Sequence, residues 1–216
     1  MFKMASTALL LAGAMASAQA DSPLLINQGF DNVASLGAGW ITANNGTPGG
    51  TTSWFQGDQT TFTSHSGAPE SYIAANYHNV GDGGTLASWL ISPTFSTACN
   101  VLISFWARGA ADPNYFDQLS FGLLDSTGAF SSFTPQATVT VSQDGWTEYS
   151  MYVSAAVVGT SARFGIEYVG SGDTANYVGV DDLQVHAVPE PSSWLLVGIS
   201  MLGLAAASTR RRSQQR

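Results

Sequence analysis

Val101-Leu102-Ile103-Ser104-Phe105-Trp106-Ala107-Arg108 is the stretch that decides the fold. Val101, Ile103, Phe105 and Ala107 fall on one side of an extended chain, and Leu102, Ser104, Trp106 and Arg108 on the other. Period two gathers the apolar set on one face of a strand, where a helix would scatter it. The same pattern recurs on both sides. Upstream, Leu86 to Ser92 sets Leu86, Ser88 and Leu90 against Ala87, Trp89 and Ile91. Downstream, Asp117 to Asp125, Thr138 to Ser142, Trp146 to Val153, the set Phe164, Ile166, Tyr168, and Tyr177 to Val185 each alternate between turn signals. Eight or more short strands at this spacing predict an all-β fold, a two-sheet jelly-roll sandwich.

Two stretches break the pattern. Ala43 to Gly67 is full of Gly, Thr, Ser and Asn, and reads as a long loop carrying one short strand around Trp54 and Phe55. Ala110 to Phe116, with Asp112, Pro113, Asn114 and Tyr115, reads as a second loop. The single cysteine, Cys99, allows no internal disulfide and reads as a half-buried thiol between strands.

The two ends of the chain are not part of the sandwich. Lys3, the apolar run Ala8 to Ala16 and the small-residue site Ala18-Gln19-Ala20 read as a secretory signal peptide over residues 1–20. Residues 21–187 then form the ectodomain. Residues 188–216 carry a Pro189-Glu190-Pro191 hinge, an apolar segment over 194–208 and a basic end, Arg210-Arg211-Arg212. As a single transmembrane helix the segment spans about 22 Å, short of a bilayer core of about 30 Å. The arginines would hold the basic end in the cytoplasm and leave everything before it outside. An ordinary single-pass anchor would read the same way.

Charge follows this division. The chain has 7 basic and 15 acidic residues. Only Arg108 and Arg163 fall in the ectodomain, against fourteen acids, a balance of −12. Such a surface repels nucleic acid and anionic lipid. It suits divalent cations and neutral glycans, or solubility alone.

Two resemblances follow from these residues. The ordered tail of Pro189-Glu190-Pro191, apolar segment and arginine cluster resembles the PEP-CTERM sorting signal of Gram-negative bacteria. That resemblance implies processing by a membrane protease, exosortase, and an exported protein that passes through the inner membrane to the cell surface or a polysaccharide matrix. The ectodomain order Gly29-Phe30-Asp31, Gly39-Trp40, Trp54, Trp89-Leu90-Ile91-Ser92-Pro93, Ile103-Ser104-Phe105-Trp106, Gly145-Trp146 and Val180-Asp181-Asp182-Leu183-Gln184-Val185 resembles the choice-of-anchor J domain, related to cleaved-adhesin and MAM-like jelly rolls. It implies surface adhesion or glycan or protein binding, without enzymatic activity.

Candidate sites are few. Inward residues Val178 and Val180 are followed by Leu183 and Val185, so the phase slips at Asp181-Asp182 and predicts a β-bulge. The layout resembles glycan-binding jelly rolls in which an acid near the first strand and an Asp-Asp pair in the last share a structural calcium (Ca²⁺). That implies Asp31 and Asp182, with Asp181 nearby, unless the aspartates are capped by backbone amides or face solvent. Asp112, Asn114 and Asp117 form a weaker oxygen-rich set. Trp54, Tyr77 and Tyr115 lie in polar surroundings and are the candidates for stacking on a sugar face, or for packing under a loop. The histidines His65, His78 and His186 have no metalloprotease spacing, and no nucleophile elbow occurs. The expectation is a secreted, non-catalytic binding protein whose partners are extracellular polysaccharide or surface proteins. A structural matrix protein without a specific ligand, or a glycoside hydrolase built from distant carboxylates, are the alternatives.

Overall fold

The structure is a computed structural model that describes residues 23–188 apart from residue 156. The signal peptide, the Pro-Glu-Pro hinge, the apolar segment and the arginine cluster lie outside the described residues.

Thirteen strands form two antiparallel sheets, with no α-helix among the described residues. In order they are β1 Leu24–Gln28, β2 Ile41–Asn44, β3 Thr47–Gly49, β4 Phe55–Gln56, β5 Ile73–Asn76, β6 Val80–Ile91, β7 Phe95–Ser96, β8 Asn100–Gly109, β9 Gln118–Asp125, β10 Thr134–Thr140, β11 Thr147–Val153, β12 Val157–Ser171 and β13 Tyr177–Val188. One sheet, called A here, runs β11-β8-β13-β5-β4, with β1 also on β13; the other, B, runs β10-β9-β12-β6-β2, with β3 on β6 and β7 on β12. The two-sheet sandwich is the architecture that the alternation predicts. The stretch read as one loop with one strand holds β3, β4 and the end of β2. These are edge strands of two to four residues, too short to show a period.

The main core fills the space between the sheets. Phe105 of β8 meets Phe121 of β9 edge-on, ring centroids 5.1 Å apart, and Phe164 of β12 at 5.7 Å. All three rings are buried, which stabilises the fold by about 1.5–3 kcal/mol each relative to exposure. Trp54 belongs to this core, and the expectation that its ring is a surface platform is corrected. It is only 7% exposed and its indole N–H has no partner. Its polar neighbours belong to a loop that crosses the end of the core, so local composition misreports its burial.

A smaller cluster lies outside sheet A. Residues 57–72 strap across its outer face. Phe62 and Tyr72 of the strap stack at 5.2 Å, and Tyr177 of β13 and Trp146, just before β11, meet Phe62 edge-on at 5.4 and 5.5 Å. The Tyr72 hydroxyl binds the Asp58 N–H and the Tyr177 hydroxyl, and reaches the Asp58 and Phe62 carbonyls. A Cβ on Gly57 would meet the Tyr72 ring at 2.2 Å, so only glycine lets the strap enter this closely.

Strand β13 organises the sites. Eleven steps of about 3.3 Å make it about 36 Å long. Its first half pairs β5 from Tyr177 to Val180, and its second half pairs β1 from Leu183 to His186. Between the halves, Asp181 faces Trp106 and Gln184 faces Ser104, one residue more on β13 than on β8. This is the predicted bulge. Asp182 takes φ 45°, a left-handed conformation that aspartate tolerates better than most residues.

Candidate functional site

The bulge splits the aspartate pair. Asp181 is fully buried. Its Oδ2 accepts from the backbone N–H groups of His65 (2.9 Å) and Ser66 (3.1 Å), and its Oδ1 from that of Asp182 (2.7 Å). Burial pushes its carboxyl up to about 6, against the pull of those backbone donors. Asp181 is therefore a hub that pins the strap to β13. Asp182 points outward. Its Oδ2 pairs with His65 Nδ1 at 2.7 Å and its Oδ1 accepts from the Ser66 hydroxyl at 2.7 Å. The His65 ring also stacks on Trp106, centroids 3.8 Å apart.

Asp31 approaches the same strap. Phe30 takes φ 52°, held by Gln28 Oε1 on its N–H and by Gln56 Nε2 on its carbonyl. That turn sets Asp31 beside Gly67, where a Cβ would stand 3.3 Å from Asp31 Oδ1. A Cβ on Gly29 would stand 3.7 Å from Asp182 Oδ1. Asp31, Asp182 and the Ser66 hydroxyl are oxygen donors, the kind calcium takes. Asp181 does not fit such a site, since both its oxygens hold backbone N–H groups. Asp182 fits only if His65 gives way. Among the described residues no group of three or more His, Cys, Asp or Glu is arranged to hold a metal.

The weaker oxygen set comes apart. Asp112 closes its own turn, accepting from the Asn114 N–H and side-chain amide. Asp117 turns inward and is buried, accepting from the Tyr168 hydroxyl and from the N–H groups of Asn176 and Tyr177. Burial pushes its carboxyl up, and those bonds pull it back. As a group, Asp112, Asn114 and Asp117 share no site.

Tyr77 and Tyr115 share a cleft. They are 43% and 40% exposed and line one cleft of 430 Å³ at the end of the sandwich where β13 begins. His78, Asp82, Asp173 and Asn176 complete its polar lining. Asn76 begins the short helical turn Tyr77–Asn79 by accepting from the His78 N–H, and Tyr77 packs on the His78 ring at 4.0 Å. Gln143 holds the other wall, its amide donating to the Asp112 and Tyr115 carbonyls at 3.1 and 2.8 Å. Asp117 ties that wall to Asn176. Two aromatic faces among carboxylates and an amide can stack on a sugar ring and read its hydroxyls.

The sequence marks no role for His65, Ser66, Asp82, Asp173 and Asn176, because their partners lie far away in the chain. The exposed tyrosines show in the sequence through their polar neighbours.

A family model described as the PEP-CTERM protein-sorting motif matches residues 187–212. No curated protein matches the chain at a significant level. Among solved structures the sandwich is similar to the cleaved adhesin domains of Lys-gingipain from Porphyromonas gingivalis. The K1 domain aligns with TM-score 0.61 and 16% identity, over 76% of this chain and 98% of that one. The K3 domain aligns with TM-score 0.56 and 13% identity, over 76% and 100%. The chain thus carries a PEP-CTERM sorting signal, the mark of an exported protein sorted to the cell surface, behind a sandwich with the cleaved-adhesin fold.

Proposed function

We propose that this protein is a secreted, non-catalytic binding module that takes a glycan in the Tyr77–Tyr115 cleft. The observation that carries it is the convergence of two exposed tyrosines, 38 positions apart in the chain, on one polar cleft. The tail supplies the address: anchoring in the inner membrane of a Gram-negative cell, exosortase processing, then residence at the surface or in extracellular polysaccharide. The cleft lies at the Tyr177 end of β13, and the chain leaves for its tail from the Val188 end. Asp117, Glu167 and Asp181, the carboxyls that burial pushes up, lie outside the cleft lining.

Calcium belongs to the same proposal as a stiffener of the strap, through Asp31 and Asp182 with His65 displaced. A melting temperature that climbs with calcium concentration, as linkage requires, supports it; a flat titration removes it.

The deciding experiment measures binding of neutral polysaccharide fragments by calorimetry. Tyr77→Ala and Tyr115→Ala should each weaken binding about tenfold or more, ~1.4 kcal/mol, with the melt unchanged. Equal affinity in both variants overturns the cleft. Saturable binding by neither the parent nor the variants would leave the matrix-structural role. Release of reducing sugar would point to the glycosidase.

A further inference from the structure

The outer face of sheet A carries a row of exposed apolar residues at the end where the chain leaves for its tail. Tyr152 stands opposite Leu102, Leu102 opposite His186, and His186 opposite Leu24. Leu24, Leu102 and Tyr152 are 48%, 40% and 55% exposed, and Leu25 flanks them. The strap hides the aromatic residues on the other half of this face and stops at the bulge. No described segment covers the row.

Charge marks the same corner. Residues 23–28, 93–107, 149–155 and 183–188, which build it, contain no Asp or Glu, although the ectodomain holds fourteen; Asp21 stands just before the first of these segments and Glu190 just after the last. Asp125 stands at the matching end of sheet B, opposite Ala162, with its carboxylate taken up by the Thr127 hydroxyl and the Thr127 and Gly128 N–H groups. An acidic body would be pushed off an anionic bilayer over most of its surface. This corner would not.

The tether is short. Five residues, 189–193, separate Val188 from the apolar segment. Fully extended they allow at most about 20 Å. His186 sits two residues, about 7 Å, before the end of β13. The row is therefore held close to wherever the apolar segment enters a membrane.

We infer that Leu24, Leu102 and Tyr152 rest on the phospholipid interface while the tail is uncut, tilting the sandwich onto this corner and fixing the Pro-Glu-Pro hinge at the membrane surface. This rests on the anchored reading of the tail. Tyrosine suits the role, since its ring is apolar and its hydroxyl stays at head-group level. Once the tail is cut, the row loses its tether, and its small apolar area gives only weak hold on lipid.

The test uses the chain with its tail intact, in phosphatidylcholine–phosphatidylglycerol vesicles carrying a head-group-level nitroxide quencher. A bimane label goes on Cys99, which precedes β8 at this corner, or on Ser154→Cys in a Cys99→Ser background. A reference label goes on Asp144→Cys in the same background, near the far end of β8. Flotation reports anchoring separately. In floated protein the corner labels should be quenched several-fold more than the reference. Leu102→Asp with Tyr152→Asp should abolish that difference and leave flotation unchanged. Equal quenching at both ends of floated protein overturns the inference. So does a concentration-dependent dimer that the double variant dissolves, which would assign the row to a second copy. Failure to float would instead overturn the anchored reading.

Discussion

The outer face of sheet A is one surface treated in two ways. Over the half nearer the cleft, Trp106, Trp146 and Tyr177 lie under the strap, which brings Phe62, His65 and Tyr72 down onto them. Over the half nearer the tail, Leu24, Leu102 and Tyr152 meet no described segment. Strands and hydrogen-bond ladders continue through both halves, so the difference is not one of backbone. It is set at the bulge, where Asp181 receives the strap and the strap goes no further. Apolar residues that a domain hides with its own chain stabilise that domain. Apolar residues left bare are available to something else.

The largest effect should come from undoing the covered half. Tyr72 is fully buried, and both its ring and its hydroxyl hold the strap. Tyr72→Ala should cost about 3–5 kcal/mol, read as a large fall in melting temperature and as new protease cuts within 58–71. Retained stability with the strap still protected would show that Asp181 and Trp146 hold it alone. Trp146 contributes its indole N–H, which donates to the Thr63 carbonyl at 2.9 Å.

A middle effect should come from pH. Burial raises Asp181 to about 6 and Glu167 to about 7, and raises Asp117 as well. A carboxyl with a raised folded value keeps its proton where the unfolded chain has lost it. Its stabilising contribution is full below the ordinary carboxyl range and is lost as pH rises through the folded value. The melting temperature should thus climb as pH falls from about 8 to about 5. Asp58 and Asp125, exposed and lowered by hydrogen bonds from Thr60 and Thr127, act in the opposite sense only at more acid pH, so stability should turn over there. Asp181→Asn should flatten the climb, whereas substitutions in the bare half should leave its slope alone. A melting temperature that falls from pH 8 to 5 would show that the N–H donors around Asp181 outweigh its burial.

The two halves also differ in how far the sequence discloses them. The strands that run through both are legible, because a half-buried strand must alternate, and β8 and β11 do. The bulge is legible too, since the step from Val180 to Leu183 breaks the period at the two aspartates. Tyr77 and Tyr115 are legible one at a time, as aromatics among polar residues. Their sharing of one cleft is not, because sequence distance says nothing of the fold's closure. The strap reads as a loop, but what it covers depends on pairs such as His65 with Asp182 and Asp58 with Tyr177, over a hundred residues apart. Trp54 and Asp117 mislead for one reason. Both sit in polar stretches and are drawn inward by distant partners, Trp54 by the core and Asp117 by the Tyr168 hydroxyl. The bare row is hidden more fully still. Leu24, Leu102, Tyr152 and His186 come from four strands, and only the register puts them side by side.

The smallest effect should come from that row, and its smallness is the point. Tyr152 lies on an edge strand, pointing away from the core that Met151 and Val153 enter. Tyr152→Ser leaves no cavity and strands no polar group, so it should shift stability by no more than about 0.5 kcal/mol. Leu102→Ser should do the same, less a small loss of strand preference on β8. A Phe105→Ser change, three residues away on the same strand and facing inward, would be far more damaging. If the row were part of the domain's own packing, the two exposed substitutions would lower the melting temperature as a core change does. Near-neutral melts would leave these side chains with no work to do inside the domain. Their exposure, the absence of Asp and Glu from the strand segments that carry them and their place one short tether from the apolar tail then have to be explained by what lies outside it.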